Sequence, residues 1–177
     1  MIWESSEWKE PLLESAVRLE NFSNSGEVKE SAFVVIEKDV FIGFYAIRKL
    51  MDTSKISDST KELAIKLKCF PNLKPVDYLN WHRIEKLYDL GSKQSETKTL
   101  RDLCNFIVHS YVFMPELTES GSLASFYVTS DKDKNKKLYS ISANQVIDIF
   151  KLVGNDYPNN SKMVRNAKTG ELDISSW

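Results

Sequence analysis

The chain has 177 residues, of which 42% are hydrophobic and 28% charged, and its 24 basic and 25 acidic residues leave a net charge of -1. A chain of this length buries roughly 70% of the surface that its unfolded form exposes, so it can form a full core without disulfides or a structural metal. A charge balance this close to zero excludes binding to nucleic acid through global charge, although it leaves room for a local basic patch.

The cysteines and the N-terminus indicate the compartment. Cys69 and Cys104 are the two cysteines, in apolar surroundings, and they form neither a disulfide framework nor a paired-cysteine zinc pattern. We therefore expect a reducing compartment, with no metal and no cofactor. The N-terminus is acidic where a signal peptide is basic. The longest apolar run, residues 40–47, is far shorter than the roughly 20 residues that span a bilayer, so we expect a cytoplasmic protein without membrane contact.

Hydrophobic periodicity predicts two helices and a strand in the first part of the chain. Apolar residues recur at three- and four-residue spacing over residues 11–22, which predicts a helix. Residues 27–51 carry overlapping apolar stripes, which predict one long and largely buried helix. Over residues 63–70 the period changes to two, as a half-exposed strand requires.

The middle of the chain predicts two more helices. Residues 78–90 place apolar side chains at helical spacing, and Gly91 follows where a helix would end. Residues 97–113 open with a polar turn and then become largely apolar, which predicts a longer helix.

The last part of the chain predicts a hairpin, a helix and a tail. Two β-rich segments, residues 125–129 and 138–141, flank a polar loop, and the strand predicted at residues 63–70 could join them as a third. Ser142 and Gln145 form a capping-box pattern that begins a helix. Residues 155–177 are rich in turn signals, so we expect an irregular tail.

These elements predict a mainly α single domain, residues 1–177, with a helical-bundle core. A small antiparallel β-hairpin or three-stranded sheet would make it formally α+β.

Polar side chains line one face of the helix predicted at residues 97–113. Arg101, Asn105 and His109 lie four residues apart in turn and share one arc of the helical wheel. A guanidinium, an amide and an imidazole in line can bind a phosphate and supply a group that titrates near neutral pH. The alternative is that this arc simply faces water, as most polar helix faces do.

The segment Cys104-Asn105-Phe106-Ile107-Val108-His109 resembles the signature of the HEPN superfamily, an arginine, a polar residue and a histidine a few positions later. Cys104 stands where that signature has its arginine, and Arg101 could replace the charge only from one turn earlier. Residues 44–50 and 80–89 also resemble segments of a family of bacterial proteins, a resemblance that implies no activity.

The HEPN resemblance implies a helical bundle that often dimerises, with many members acting as metal-independent ribonucleases. In such a site His109 would be the general acid or base, Asn105 would orient the phosphate or ribose, and Arg101 would stabilise the developing charge. The lost arginine favours a member that binds RNA or a partner without cleaving.

Three further cations are candidates for substrate binding. Arg48, on the long predicted helix, could reach the helix of His109, although an arginine at a helix edge more often pairs with a neighbour. Lys134 and Lys136 lie in the basic loop of the predicted hairpin, which suits contact with a phosphate backbone.

The sequence therefore predicts a cytoplasmic HEPN-like protein that is RNA-associated, either non-catalytic or dependent on an activator, in a bacterial stress or phage-defence system. One alternative is an active metal-independent endoribonuclease that uses His109. The other is a scaffold that binds a protein partner or a second copy of itself and has no connection with RNA.

Overall fold

The computed structural model describes residues 2–177 and forms six α-helices and seven strands within them. The helices are α1 (Ser6–Asn24), α2 (Phe33–Leu50), α3 (Asp58–Lys61), α4 (Ile84–Leu87), α5 (Leu100–Val108) and α6 (Ala143–Asn155). The strands are β1 (Ala64–Pro71), β2 (Gln94–Thr99), β3 (Ser110–Leu117), β4 (Leu123–Ser130), β5 (Lys137–Ser142), β6 (Ser161–Arg165) and β7 (Leu172–Ser176).

Five of the strands form one antiparallel sheet in the order β2-β1-β5-β4-β3. The hairpin β4–β5 lies inside the sheet, and β1 joins it through pairs such as Cys69 with Tyr139. Strands β2 and β3 are the two edges. Between them in sequence runs α5, which therefore crosses one face of the sheet from one edge to the other.

The larger core lies between this face and the helices α1, α2, α5 and α6. Strand β1 contributes alternate residues to it, and Phe44 of α2 packs against Phe150 of α6 with ring centres 5.3 Å apart. Gly43 makes this approach possible, because a Cβ at that position would clash with the ring of Phe150.

A smaller core covers the opposite face. The segment between β1 and β2 folds back over the sheet and brings Ile84, Leu87 and Tyr88 onto Phe70 and Leu138. The buried Tyr88 hydroxyl donates a 2.6 Å hydrogen bond to the carbonyl of Lys134, which ties this segment to the β4–β5 loop.

The predicted helical-bundle core is wrong. The fold is α+β, and its core is a five-stranded antiparallel sheet covered by helices, with a separate two-stranded hairpin formed by β6 and β7. Sheet pairing brings together strands that are distant in sequence, such as β1 and β5, and local periodicity does not encode such pairing.

The predicted helix over residues 97–113 was the most consequential error. This stretch is the end of β2, then α5, then β3. Thr99 ends the strand and caps the helix, because its hydroxyl accepts from the N–H of Asp102 while the Asp102 carboxylate accepts from the N–H of Thr99. Sequence reasoning missed this second capping box.

The structure also differs from the predictions for the long helix, for residues 78–90 and for the C-terminal tail. The long helix begins at Phe33, after a single 3₁₀ turn, and residues 78–90 hold only the one helical turn of α4. The tail is not irregular: residues 161–176 form the β6–β7 hairpin, whose turn places Gly170 at φ +73°, a conformation that favours glycine.

Other elements agree with the sequence. The helix predicted at residues 11–22 and the strand predicted at 63–70 are both present, and that strand joins the predicted hairpin as its third member. The capping box of Ser142 and Gln145 begins α6. No helix within residues 2–177 is both long enough and apolar enough to cross a membrane.

Candidate functional site: the groove beside α5

Two of the predicted cations are bound to one carboxylate. Arg48 donates to both oxygens of Asp52, at 2.8 and 2.7 Å, one turn further along the chain. Arg101 reaches the same carboxylate from α5, with both terminal nitrogens 3.2 Å from Oδ1. The Nε of Arg48 also lies 3.4 Å from the side-chain oxygen of Asn105. The two guanidiniums thus share one anion at the junction of α2 and α5.

The charge state of Asp52 follows from this arrangement. Partial burial alone would raise its pKa, but the hydrogen bonds from Arg48 and Arg101 outweigh that effect and hold the pKa below its ordinary value. Asp52 is therefore an anion at neutral pH, and it neutralises much of the charge that Arg101 could have offered to a phosphate.

The other two predicted catalytic residues, Asn105 of α5 and His109 just after it, line an open groove of about 530 Å³ between this helix and the β4–β5 loop. Helix α5 supplies one wall and the loop supplies the other, and the lining residues are Asp102, Asn105, Phe106, His109, Ser130, Asp131, Lys132 and Asp133. The structure therefore brings Asn105 and His109 together in one groove, with Arg101 held at the Asp52 cluster.

His109 lies just beyond the last turn of α5. Its backbone has left the helix, with φ -109° and ψ 29°, while its N–H still donates to the carbonyl of Asn105 at 3.0 Å. The imidazole is exposed to solvent, as is the side chain of Lys132 across the groove. Within residues 2–177 neither side chain has a hydrogen-bond or ion-pair partner.

The carboxylates of the groove have partners inside the protein. Asp102 accepts from the Thr99 hydroxyl at 2.8 Å as part of the α5 cap. Asp131 binds Lys134 at 2.7 Å, and Asp133 binds Lys136 at 3.1 Å. The groups left available for a ligand are therefore the imidazole of His109, the ammonium of Lys132 and the amide of Asn105.

Lys134 and Lys136 are thus placed beside the groove, and neither lines it. The ammonium of Lys134 also lies 3.6 Å from the ring centre of Tyr111, away from open solvent. Lys136 is exposed and paired with Asp133. The basic loop contributes Lys132 to the lining, and that lysine directly precedes Asp133 in the sequence.

Cys104 stands at the position where the HEPN signature has an arginine, and it lies in the core. Its thiol is fully buried between α5 and the sheet, and burial raises its pKa to about 12. The side chain of residue 104 therefore lies in the core and does not line the groove.

Sequence reasoning missed Asp52. Its spacing of four residues from Arg48 is the spacing of a helical ion pair, and that signal was present in the sequence. Its contact with Arg101, 49 residues away, depends on the packing of α2 against α5, which no local pattern indicates.

No three His, Cys, Asp or Glu side chains come together in residues 2–177 in a way that could hold a metal ion. Comparison of the chain with models of known protein families, with curated proteins and with solved structures finds no match. The fold and the groove together define an α+β domain with an open polar cleft, and its function is argued from that cleft.

Proposed function

We propose that this chain is a cytoplasmic RNA-associated protein that binds phosphate groups in the groove beside α5 and does not cleave RNA itself. The observation that carries the proposal is the pairing pattern of the groove: its carboxylates are bound internally, whereas His109 and Lys132 are exposed and have no partner in residues 2–177. The bacterial stress or phage-defence setting and the HEPN kinship rest on the sequence resemblance alone, and the helical bundle that this resemblance implies is not the fold of the chain.

An imidazole, an ammonium and an amide on opposite walls suit an anionic ligand. Lysine acts as a compact positive charge toward phosphate, and the Asn105 amide can donate to a phosphate oxygen or a ribose hydroxyl. Phe106 also lines the groove, and an aromatic ring there offers a surface on which a base can stack.

Two features favour binding without cleavage. General acid–base catalysis needs groups held in place, and no neighbour in residues 2–177 orients the His109 imidazole. Charge that develops on a phosphate needs a cation directed at it, and the guanidinium of Arg101 is bound to Asp52. The alternative of an active endoribonuclease would require Arg101 to leave this carboxylate.

The test is RNA binding by the purified chain, measured by fluorescence anisotropy with a pool of labelled single-stranded RNAs. Lys132→Ala and His109→Ala should each weaken binding by about three- to tenfold. The slope of the binding constant against salt concentration should also fall in Lys132→Ala, by the amount expected for the loss of about one phosphate contact. Lys86→Ala, an exposed lysine on the opposite face of the sheet, is the matched control.

Cleavage is followed on the same RNA pool in the presence of a chelator. We expect intact RNA with the wild-type chain. Cleavage that disappears in His109→Ala would overturn the non-catalytic assignment in favour of a ribonuclease. Absence of binding by wild type, or equal losses in Lys86→Ala and Lys132→Ala, would contradict an RNA site in the groove.

A second candidate, a partner-binding scaffold, is favoured by one surface. The outer side of α2 exposes a row of apolar residues, with Val34 at 60%, Ile42 at 63% and Tyr45 at 46% exposure. Apolar rows of this kind are typical of contact surfaces. If the chain binds no RNA, Ile42→Asp should abolish binding to a protein partner, whereas Val17→Asp on the exposed side of α1 should not.

A further inference from the structure

We propose that two copies of this chain associate through strand β2, pairing antiparallel about a two-fold axis at Thr97 and joining their sheets into one. This inference is independent of the RNA proposal. It rests on the open edge of β2, on the direction of its backbone groups, and on the order of charges along it.

The edge of the sheet at β2 is open. Within residues 2–177 this strand pairs only with β1, and four of its six residues are exposed: Gln94, Ser95, Thr97 and Thr99. It contains no proline, and its register with β1 is continuous from Ala64 to Cys69. An exposed edge of this kind is a template for pairing with another strand.

The other edge of the sheet is protected. Strand β3 contains Pro115, and its register with β4 is irregular between Ser110 and Val112 and again between Glu116 and Leu117. Prolines and bulges are the usual means of preventing strand addition. Their presence on β3 and absence from β2 single out β2 as the pairing edge.

The register with β1 shows which backbone groups are available. The N–H of Leu100 donates to the carbonyl of Leu63 at 3.0 Å, and hydrogen-bonded pairs in an antiparallel ladder recur at every second residue. Glu96 and Lys98 therefore exchange their backbone hydrogen bonds with β1. Thr97, between them, directs its N–H and carbonyl outward, where a second copy can pair with them.

An axis through Thr97 makes the strand self-complementary. Thr97 faces Thr97 of the second copy, Ser95 faces Thr99, and Glu96 faces Lys98 on both sides of the axis. Opposite charges are favourable directly across an antiparallel pair, as is the pair of Thr97 hydroxyls at the axis. Thr99 keeps its N–H and its hydroxyl in the cap of α5, so the backbone contact is centred on Thr97. In the single chain, Glu96 and Lys98 already lie on one face of the sheet, 2.6 Å apart, so no side chain needs to change face.

Neighbouring registers are not complementary. An axis through Glu96 would place Glu96 opposite itself, and an axis through Lys98 would do the same with Lys98. Like charges directly opposite are destabilising. The charge order of the strand thus excludes both neighbouring alignments, and the axis through Thr97 is the one that places Glu96 opposite Lys98 twice, as an isologous contact between two identical strands requires.

The paired length is short because α5 begins at Leu100, directly after the strand. We therefore expect a reversible dimer. At about 3.4 Å per residue, the two Thr99 residues would lie about 14 Å apart along the strands, so the two α5 helices would begin on either side of the axis.

The first test is the oligomeric state of the full chain, measured by sedimentation velocity over a range of concentrations. Thr97→Pro removes an N–H that β1 does not use, so it should abolish dimer formation while leaving the melting temperature nearly unchanged. Thr97→Val keeps the N–H and is the matched control, which should still dimerise.

The second test is a charge exchange. Glu96→Lys alone and Lys98→Glu alone each place like charges opposite at two positions of the dimer and should raise the dissociation constant roughly tenfold or more. A mixture of the two variants restores opposite charges at both positions and should form a heterodimer about as strong as wild type. Lys66→Glu, an exposed charge reversal on β1, should have no effect.

Circular dichroism melts verify that each variant is folded before association is measured. A wild-type chain that stays monomeric at its highest soluble concentration would overturn the proposal. So would a dimer that survives Thr97→Pro, or a mixture of the charge variants that does not associate.

Discussion

The ammonium of Lys9 lies 3.7 Å from the ring centre of Tyr157, in the interior of the protein. It donates to the carbonyl of Lys55 at 2.7 Å and to the carbonyl of Asp156 at the end of α6. Burial lowers the pKa of Lys9, and the nearby charge of Asp156 opposes that shift in part. One side chain thus joins α1, the end of α6 and the loop that follows α2.

Lys9→Ala should reduce the free energy of unfolding by about 2–4 kcal/mol, because it leaves a cavity and deprives two carbonyls of their donor. Urea unfolding measures this change. Lys151→Ala removes a half-exposed lysine that pairs with Glu20 on the surface, and it should cost less than about 1 kcal/mol. Equal losses in the two variants would contradict a structural role for the buried ammonium.

Gly43→Ala should destabilise the protein, although alanine is normally the better helix former. Its Cβ would meet the ring of Phe150, and overpacking of a core costs about 1–3 kcal/mol. Phe150→Leu in the same chain should recover part of that loss. The double variant should therefore lose less free energy of unfolding than the two single variants lose in sum. Additive losses, measured by thermal and urea unfolding, would show that the two positions are not coupled.

The sequence predicts those elements whose signal is local. Ile65, Leu67 and Cys69 alternate with lysines because one face of β1 is buried under the helices, and Ser142 begins α6 through a contact with a residue three positions later. Strands β2 and β6 give no such signal, because β2 is a polar edge strand and every residue of β6 is exposed. Their pairing partners determine them, and periodicity carries no information about partners.

Some features of the candidate site could likewise be predicted from the sequence, and others depend on the fold. Asn105 and His109 are four residues apart, and the N–H of His109 still donates to the carbonyl of Asn105, so their shared position at the groove follows from the local geometry at the end of α5. The role of Arg101 could not be derived in this way, because its partner Asp52 lies on the turn after α2. Lys132 and Lys134 are equivalent in sequence, and only the fold of the loop separates the exposed one from the paired one.

Cys104 should not react with thiol reagents in the native protein. The residue is fully buried, and burial raises the pKa of its thiol to about 12, so the reactive thiolate is scarce at neutral pH. Cys69 is also buried, and its pKa is raised for the same reason. Labelling with iodoacetamide, followed by mass spectrometry, should modify both cysteines in urea and neither in buffer. Rapid native labelling of Cys104 would mean that α5 opens from the sheet.

The ionised carboxylate of Glu96 should stabilise the folded protein at neutral pH and lose this effect in acid. Hydrogen bonds from Lys137 and then Lys98 lower the pKa of Glu96 to about 2, below its ordinary value of 4.5. The folded form therefore holds its proton less tightly than the unfolded form, and this contribution is complete above pH 4.5 and is lost as the pH falls toward 2. Glu96→Gln should cost about 1 kcal/mol at pH 7 and almost nothing at pH 2. A cost independent of pH, in urea titrations at both values, would contradict this assignment.

Asp52→Asn tests whether the guanidiniums beside the groove are restrained by their carboxylate. The substitution keeps the shape of the side chain but removes the anion that Arg48 and Arg101 share, so both cations become available near Asn105. If the groove binds RNA phosphate, the affinity for RNA should rise because one or two more phosphates can be contacted. A plot of the logarithm of the binding constant against the logarithm of the salt concentration should then become steeper by about 0.7 for each added contact on single-stranded RNA. Stability should change by less than about 1 kcal/mol because Asp52 is half exposed.

Glu14→Gln removes an equally charged, exposed carboxylate near Arg18 and controls for net charge. An equal gain in that variant would assign the effect to overall charge, and weaker binding by Asp52→Asn would show that the carboxylate itself supports the ligand.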